Sequence, residues 1–401
     1  MRKLLGLIGL MGLMGALPIK PISSINPIHA QETIDRRTNS VLFNADGHIL
    51  FIDNEYFGDR VSGYTLPGFV LQPKVEWILN QNVILKGGFH WLYYWGARDY
   101  PATAAYGTYP FYDSVSHPLH LLPWLQAKIH FNNHLELSLG CINAGPYLPL
   151  PLYNPELALV GDPETGAQIV WDTKWTVGEV WVDWREYIWN RSPVPERFTA
   201  GFSGGLRDTH NLWTLYLPLL FLAQHEGGQN MSVPHNINNN FNAGGGLGVI
   251  LGDRETLGLE LDLSCLGLWY HQHGNATIPF SNGWAIYPEL KVLSEHWYFM
   301  ASYWHGKDYV PLLGSWHFSN LSANTEGLTF DRTRVITLCA QWKWQAMGLG
   351  DNNCSLHLYG TLYHYLPSTG TLADDTTKEY GHRNQFAVGA AILFYPTVKL
   401  H

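Results

Sequence analysis

The sequence predicts an all-β chain: a transmembrane antiparallel β-barrel of about 16 strands with short periplasmic turns and long extracellular loops. Three observations predict it. Apolar and polar residues alternate with period two through segment after segment, which is the signature of strands with two different faces. The links between those segments alternate between short and long. The composition also departs from that of a soluble domain, with charged residues at 14%, aromatics at 14%, 17 Trp, 22 Tyr and 40 Gly, where about 25% charged is usual.

The first 30 residues read as a cleaved signal peptide. Arg2 and Lys3 precede an uncharged stretch from Leu4 to Leu17, and the segment closes on Ile28-His29-Ala30. That order of charge, apolar run and small residue suits export, and Leu4–Leu17 is short beside the roughly 20 residues of a spanning helix. Residues 31–46 read as a periplasmic lead-in and 47–401 as the barrel. Beyond Ala30 no apolar run reaches the ~18 residues that a transmembrane helix would need.

The alternation is explicit. Phe69, Leu71, Val75 and Trp77 share one face, with Gln72, Lys74 and Glu76 on the other. Val83, Leu85, Phe89 and Trp91 oppose Lys86 and His90, and Leu121, Leu125, Ile129 and Phe131 oppose Gln126, Lys128 and His130. Leu257, Leu259, Leu261 and Leu263 oppose Glu260, Asp262 and Ser264, while Ile336, Leu338, Ala340 and Trp342 oppose Thr337, Gln341 and Lys343. The apolar set is the lipid face and the polar set the lumen face.

Short links fall at Asn80–Asn82, Asn132–His134, Gly252–Thr256 and Ser294–Glu295. Long ones fall at Gly96–Pro118, Asn143–Gly166, Glu226–Asn239, His271–Gly283, Gly306–Thr333 and Pro367–Arg383. Aromatics collect near strand ends. Trp91, Tyr93, Tyr94, Trp95, Trp184, Trp269 and Tyr270 precede long links, and Trp77, Phe131, Trp297, Trp342 and Trp344 flank short ones. Two interfacial belts are the expectation.

The pattern resembles the outer-membrane porins of Gram-negative bacteria, over nearly all the mature chain and through architecture rather than motif. The blocks Leu152-Tyr153-Asn154-Pro155-Glu156, Asp162-Pro163-Glu164-Thr165-Gly166, Val182-Asp183-Trp184-Arg185-Glu186 and Phe198-Thr199-Ala200-Gly201 are also similar to a group of large uncharacterised outer-membrane proteins. That group has no assigned activity, so the resemblance implies location and fold alone.

The candidate lumen-lining residues are Lys74, Glu76, Lys86, His90, Lys128, Glu179, Asp183, Arg185, Glu260, Asp262, Glu289, Lys291 and Lys343. Each serves either a solute path, with selectivity set by charge, or a ladder of cross-strand ion pairs. The proline-stiffened segment carrying Tyr147, Leu150, Leu152 and Tyr153 is apolar for an outer loop, and the expectation is a constriction folded into the barrel mouth or a cap on neighbouring loops. His271-Gln272-His273 reads as an exposed loop, and no metal site is expected there. GxSxG, HExxH and phosphate-loop patterns are absent, so the expectation is a non-enzyme without cofactors. The net charge of −9 and the lack of a basic stripe exclude nucleic acid. Cys141, Cys265, Cys339 and Cys354 form no CxxC pair, and Cys141, Cys265 and Cys339 read as small apolar side chains in strands.

The expected function is therefore a channel for small polar solutes, partnered by outer-membrane lipid and by those solutes. The alternatives are a surface scaffold that binds a polysaccharide, lipoprotein or other envelope partner, and an enzyme acting on envelope material. A homo-oligomer or a lipoprotein partner stays open at this point.

Overall fold

A computed structural model describes residues 39–95, 119–145, 147–157, 161–186, 191, 195–228, 237–274, 278–345 and 353–400. The signal-peptide expectation, most of the lead-in and the Gly96–Pro118 link lie outside the described residues.

Sixteen long strands form one antiparallel sheet that closes on itself. In chain order they begin with β1 (Ser40–Glu55), β2 (Tyr64–Ile78), β3 (Val83–Tyr94), β4 (Leu119–Asn132), β5 (Leu135–Cys141), β6 (Thr165–Asp172), β7 (Thr176–Glu186) and β8 (Glu196–His210). They continue with β9 (Trp213–Gly227), β10 (Asn238–Asp253), β11 (Leu259–His273), β12 (Asn282–Ser294), β13 (Trp297–Lys307), β15 (Thr333–Gln345), β16 (Asn353–Tyr365) and β19 (Arg383–Tyr395). A single-turn helix, α1 (Arg254–Leu257), fills one short turn. β14 (Thr329–Phe330), β17 (Ser368–Thr371) and β18 (Thr377–Tyr380) make a small sheet among the long loops, and β20 (Thr397–Lys399) pairs with the start of β1. Closure comes from β1, which pairs with β2 on one edge and with β19 on the other, so no backbone edge is left to the bilayer.

β1 begins at Ser40 rather than near Gly47. Asn44 and Asp46, assigned to the lead-in from sequence, are with His48 buried inward-facing positions of the strand. The alternation sorts the faces as expected: Leu125 is 62% exposed and Glu76 0%. Burying a carboxylate while exposing leucine is favourable only where lipid lies outside. Trp91, Trp95, Trp184, Trp269 and Trp284 are exposed near the long-loop end, and Trp77, Phe131, Trp213, Trp297 and Trp344 near the short-turn end. Tyr94 and Tyr270 are a correction to the outer belt. Both are fully buried and point into the barrel.

The interior is layered. Towards the short-turn end the inward side chains are mostly polar or charged. Towards the long-loop end they become apolar: Leu266, Leu268 and Tyr270 follow Glu260, Asp262 and Ser264 along β11. The same change runs along β3, from Lys86 and His90 to Leu92 and Tyr94. In the outer half these strands are therefore apolar on both faces, which requires something other than water inside.

Candidate functional site: the filled lumen

Two long loops fill the outer half. The β5–β6 loop turns inward on its prolines: Leu152 and Tyr153 both donate their backbone N–H to the Pro149 carbonyl, at 2.7 and 3.0 Å. Each fixed proline φ lowers the entropy lost on holding the turn. Leu148, Leu150, Leu152 and Tyr153 are buried in one apolar cluster with Leu222, Leu268, Tyr270, Tyr287, Trp304 and Tyr363 from the barrel wall. Within this segment Leu150, Leu152 and Tyr153 are buried and Tyr147 is half-buried.

The β13–β15 loop enters from the opposite wall, and the two loops brace each other. Asn154 N–H donates to the Leu313 carbonyl at 2.7 Å, and Ser315 N–H to that of Leu150 at 3.1 Å. Tyr153 and Leu313 form a parallel bridge. Gly314 permits this approach, since a Cβ there would sit 2.0 Å from the Pro151 carbonyl oxygen. Asn242, reaching in from β10, pins the second loop at both ends of its amide. Its Oδ1 accepts from Leu312 N–H at 2.9 Å and its Nδ2 donates to the Val310 carbonyl at 3.0 Å. Asn320 closes the loop on itself, accepting from Tyr309 N–H at 3.2 Å and donating to the Phe330 carbonyl at 3.0 Å.

Arg60, from the β1–β2 loop, ties this assembly to its neighbours. Its guanidinium lies 3.4 Å from the Phe330 ring centre and 4.9 Å from that of Tyr365, while Nη1 and Nη2 donate to Thr333 Oγ1 (3.2 Å) and Ser368 Oγ (2.6 Å). Burial pulls it down to about 10, which still leaves it charged at neutral pH. His317 stacks on Tyr363 with ring centres 3.7 Å apart, its Nδ1 2.5 Å from the Tyr365 hydroxyl. Burial, then the Arg60 charge, push it down to about 3, so it serves as a neutral ring.

Most of the charged positions lie on the inward face beneath this plug, whereas Asp183 and the exposed Arg185 stand beside it at the outer end of β7 and Arg254 lies in the α1 turn. Lys74 pairs with Asp46 at 2.5 Å and stands 4.3 Å from the Trp124 ring centre. Lys86 pairs with Glu76 at 2.9 Å, and Lys128 with Glu136 at 2.9 Å. Arg185 holds Asp183 at 2.6 Å, Lys291 holds Glu289 at 2.5 Å, and Arg254 approaches Glu260 at 3.6 Å. Arg207 pairs with Asp172. His90 Nδ1 is 2.9 Å from Gln72 Nε2, and Lys343 sits near His357 at the inner end of β15. Glu179 and Asp262 accept hydrogen bonds from neutral donors: Gln168 Nε2 (2.7 Å) and Ser203 Oγ (3.0 Å) for the first, the Tyr216 hydroxyl (2.6 Å) for the second. Pairing of this kind is what lets buried charge persist.

Two carboxylates belong to the first loop itself. Glu156 accepts from the Tyr64 hydroxyl at 2.6 Å, and burial raises it above the usual carboxylate range. Glu164 accepts from the Tyr153 hydroxyl at 3.1 Å. Burial and the neighbouring Asp183 charge push it up to about 7, against the opposing pull of Arg185.

His271-Gln272-His273 is not a loop. β11 runs through it, and His271 Nδ1 lies 2.9 Å from Asn282 Oδ1 on β12. Among the described residues no group of three or more His, Cys, Asp or Glu is placed to hold a metal.

The architecture defines an outer-membrane β-barrel, with apolar outer wall, interfacial aromatics and closed backbone. Residues 31–400 match the family described as lipid A 3'-O-deacylase-type, and the chain belongs to that family. Among solved structures it is similar in fold to OccAB3 of Acinetobacter baumannii (11% identity, 89% of this chain and 99% of that one, TM-score 0.45). It is also similar to OccK8 (OprE) of Pseudomonas aeruginosa (10%, 91% and 100%, 0.44) and to OmpT of Vibrio cholerae (9%, 89% and 100%, 0.44). Likeness at that level carries nothing about substrate. Among curated proteins none matches the chain.

Proposed function

We propose that the protein is a gated channel for small polar solutes, closed in this structure by the braced β5–β6 and β13–β15 loops. The observation that carries this reading is the layering of the lumen. A polar, ion-paired inner half is capped by two loops that meet through a few backbone hydrogen bonds and pack against the apolar outer part of the wall. Sixteen strands enclose a bore wide enough for water once the loops withdraw. Removing Tyr147 to Leu152 should raise single-channel conductance in a planar bilayer. Silence from both wild type and deletion, with the barrel folded, would reject the channel.

A second reading rests on the family match. A member of a lipid A 3'-O-deacylase-type family could act on envelope lipid. Its test is separate: mass spectrometry of lipid A from cells with and without the protein, where loss of an acyl chain replaces the channel reading.

A further inference from the structure

Two histidines meet at the long-loop end of the barrel, where neither the plug nor the ion-paired lumen uses them. His364 is the last outward residue of β16, and its cross-strand partner is Asn384 on β19. His382 lies in the Gly381–His382 link between β18 and β19. The ring centres are 5.2 Å apart with 25° between the planes, and His364 Nε2 is 3.2 Å from His382 Nδ1. His382 is exposed and His364 half-buried, so the pair is open to solvent.

The first ring is held in one tautomer. His364 Nδ1 lies 2.7 Å from Asn384 Oδ1, an atom that can only accept. Nδ1 therefore carries the proton, and the neutral ring turns a lone pair on Nε2 towards His382. Donation of the second ring N–H to a carbonyl oxygen is how metal-binding imidazoles are oriented. The nitrogen spacing fits as well. Ligand nitrogens about 2.0 Å from a tetrahedral zinc stand roughly 3.3 Å apart, whereas 3.2 Å is the long end of the hydrogen-bond range. Charge around the pair is mixed. Asp53 and Glu55 share its face at the end of β1, the neighbour of β19, while Arg334 and Arg383 donate to the Pro367 and Phe57 carbonyls.

We propose that His364 and His382 form a site for a divalent transition-metal ion of the zinc class, with Asn384 positioning the first ligand and water filling the remaining coordination positions. Imidazole suits zinc, copper or nickel, whereas magnesium and calcium take oxygen ligands. The ion replaces the proton that the two nitrogens otherwise share, and His382 then keeps its own proton on Nε2. Chelation ties β16 in the barrel wall to the β18–β19 link. β18 pairs with β17, and β17 with β14 of the β13–β15 loop, so a bound ion also restrains the loop that closes the lumen. That last consequence rests on the gated-channel reading; the site itself does not.

The test is titration of the full-length folded barrel with zinc ion in detergent, followed by calorimetry and paired with open probability in a planar bilayer. Wild type should bind a zinc equivalent that is lost in His364→Gln and in His382→Gln, and Asn384→Leu should weaken it about tenfold. Excess magnesium should not displace it. If a variant lacks the gel shift of a folded barrel, copper(II) on wild type decides: coupling to two imidazole nitrogens in its electron-spin spectrum supports the site, and fewer overturn it. Zinc uptake unchanged in both glutamine variants, or equal competition by magnesium, overturns the proposal. In a conducting wild type, zinc should lower open probability, and His382→Gln should abolish that effect. Zinc bound without any change in opening overturns the restraint on the loop. A silent bilayer counts against the channel alone, and the titration still decides the site.

Discussion

Asn242→Leu isolates the latch that holds the second loop. The side chain makes two hydrogen bonds to buried backbone groups, at 2.9 and 3.0 Å. Leucine is nearly the same size and makes neither, so Leu312 N–H and the Val310 carbonyl remain buried without partners. Each orphaned group costs about 1–3 kcal/mol, which puts the loss at roughly 2–6 kcal/mol if the loop stays in place. With tenfold per 1.4 kcal/mol, the population with the loop withdrawn should grow by about 30-fold to 10⁴-fold. Asn242→Asp keeps the acceptor for Leu312 and should fall between. The assays are open probability in a planar bilayer and protease cleavage of the 308–332 loop on whole cells, with heat-modifiable gel mobility confirming a folded barrel. Unchanged cleavage and unchanged opening in Asn242→Leu would refute the latch.

The two faces and the acid on the first loop give further tests. Leu219→Arg, at a lipid-facing position near the middle of β9 that is 55% exposed, should impair assembly by about 2–4 kcal/mol. Glu260→Gln, inward and loosely paired with Arg254, should assemble normally by the same gel shift; equal tolerance at both would reject the register. Glu164 is pushed up to about 7, so the closed form holds a proton that the released loop gives up. Closure is then strongest below about pH 4.5 and weakens as pH rises towards and through 7. Open probability should climb between pH 5 and 8 in wild type and stay flat in Glu164→Gln; a wild-type response that falls with pH would contradict this.

Much of the barrel was legible because period-two alternation and link length are local properties. The face assignments at Phe69–Trp77, Val83–Trp91 and Leu259–Leu263 follow from counting alone, while Leu257, which the same count put on the lipid face, falls in the α1 turn. The plug was half legible. The prolines around Tyr147–Tyr153 flagged one loop, but the second, with Asn320 and Gly314, has no comparable stiffening signal. A usable sign was present in the strands: Leu217-Pro218-Leu219-Leu220-Phe221-Leu222 and Cys265-Leu266-Gly267-Leu268-Trp269-Tyr270 lose alternation towards their outer ends, which means an apolar filling. Arg60 was out of reach, since its rings and hydroxyls come from residues about 270 to 310 positions away. The outer end of β11 was missed because His271–His273 reads as loop. A polar residue ending the lipid face looks the same in sequence as the start of a turn.

The central claim is that parting the two braced loops opens the lumen, and a reversible tether tests it most directly. Tyr153 and Leu313 are bridge partners, about 5 Å apart as neighbouring strands are and within reach of a disulfide. In a background lacking Cys141, Cys265, Cys339 and Cys354, the pair Tyr153→Cys/Leu313→Cys is followed in one planar bilayer through oxidation and reduction. The account predicts that oxidation silences the channel and that reduction restores opening in the same membrane. Conductance that persists unchanged with the tether formed would contradict it.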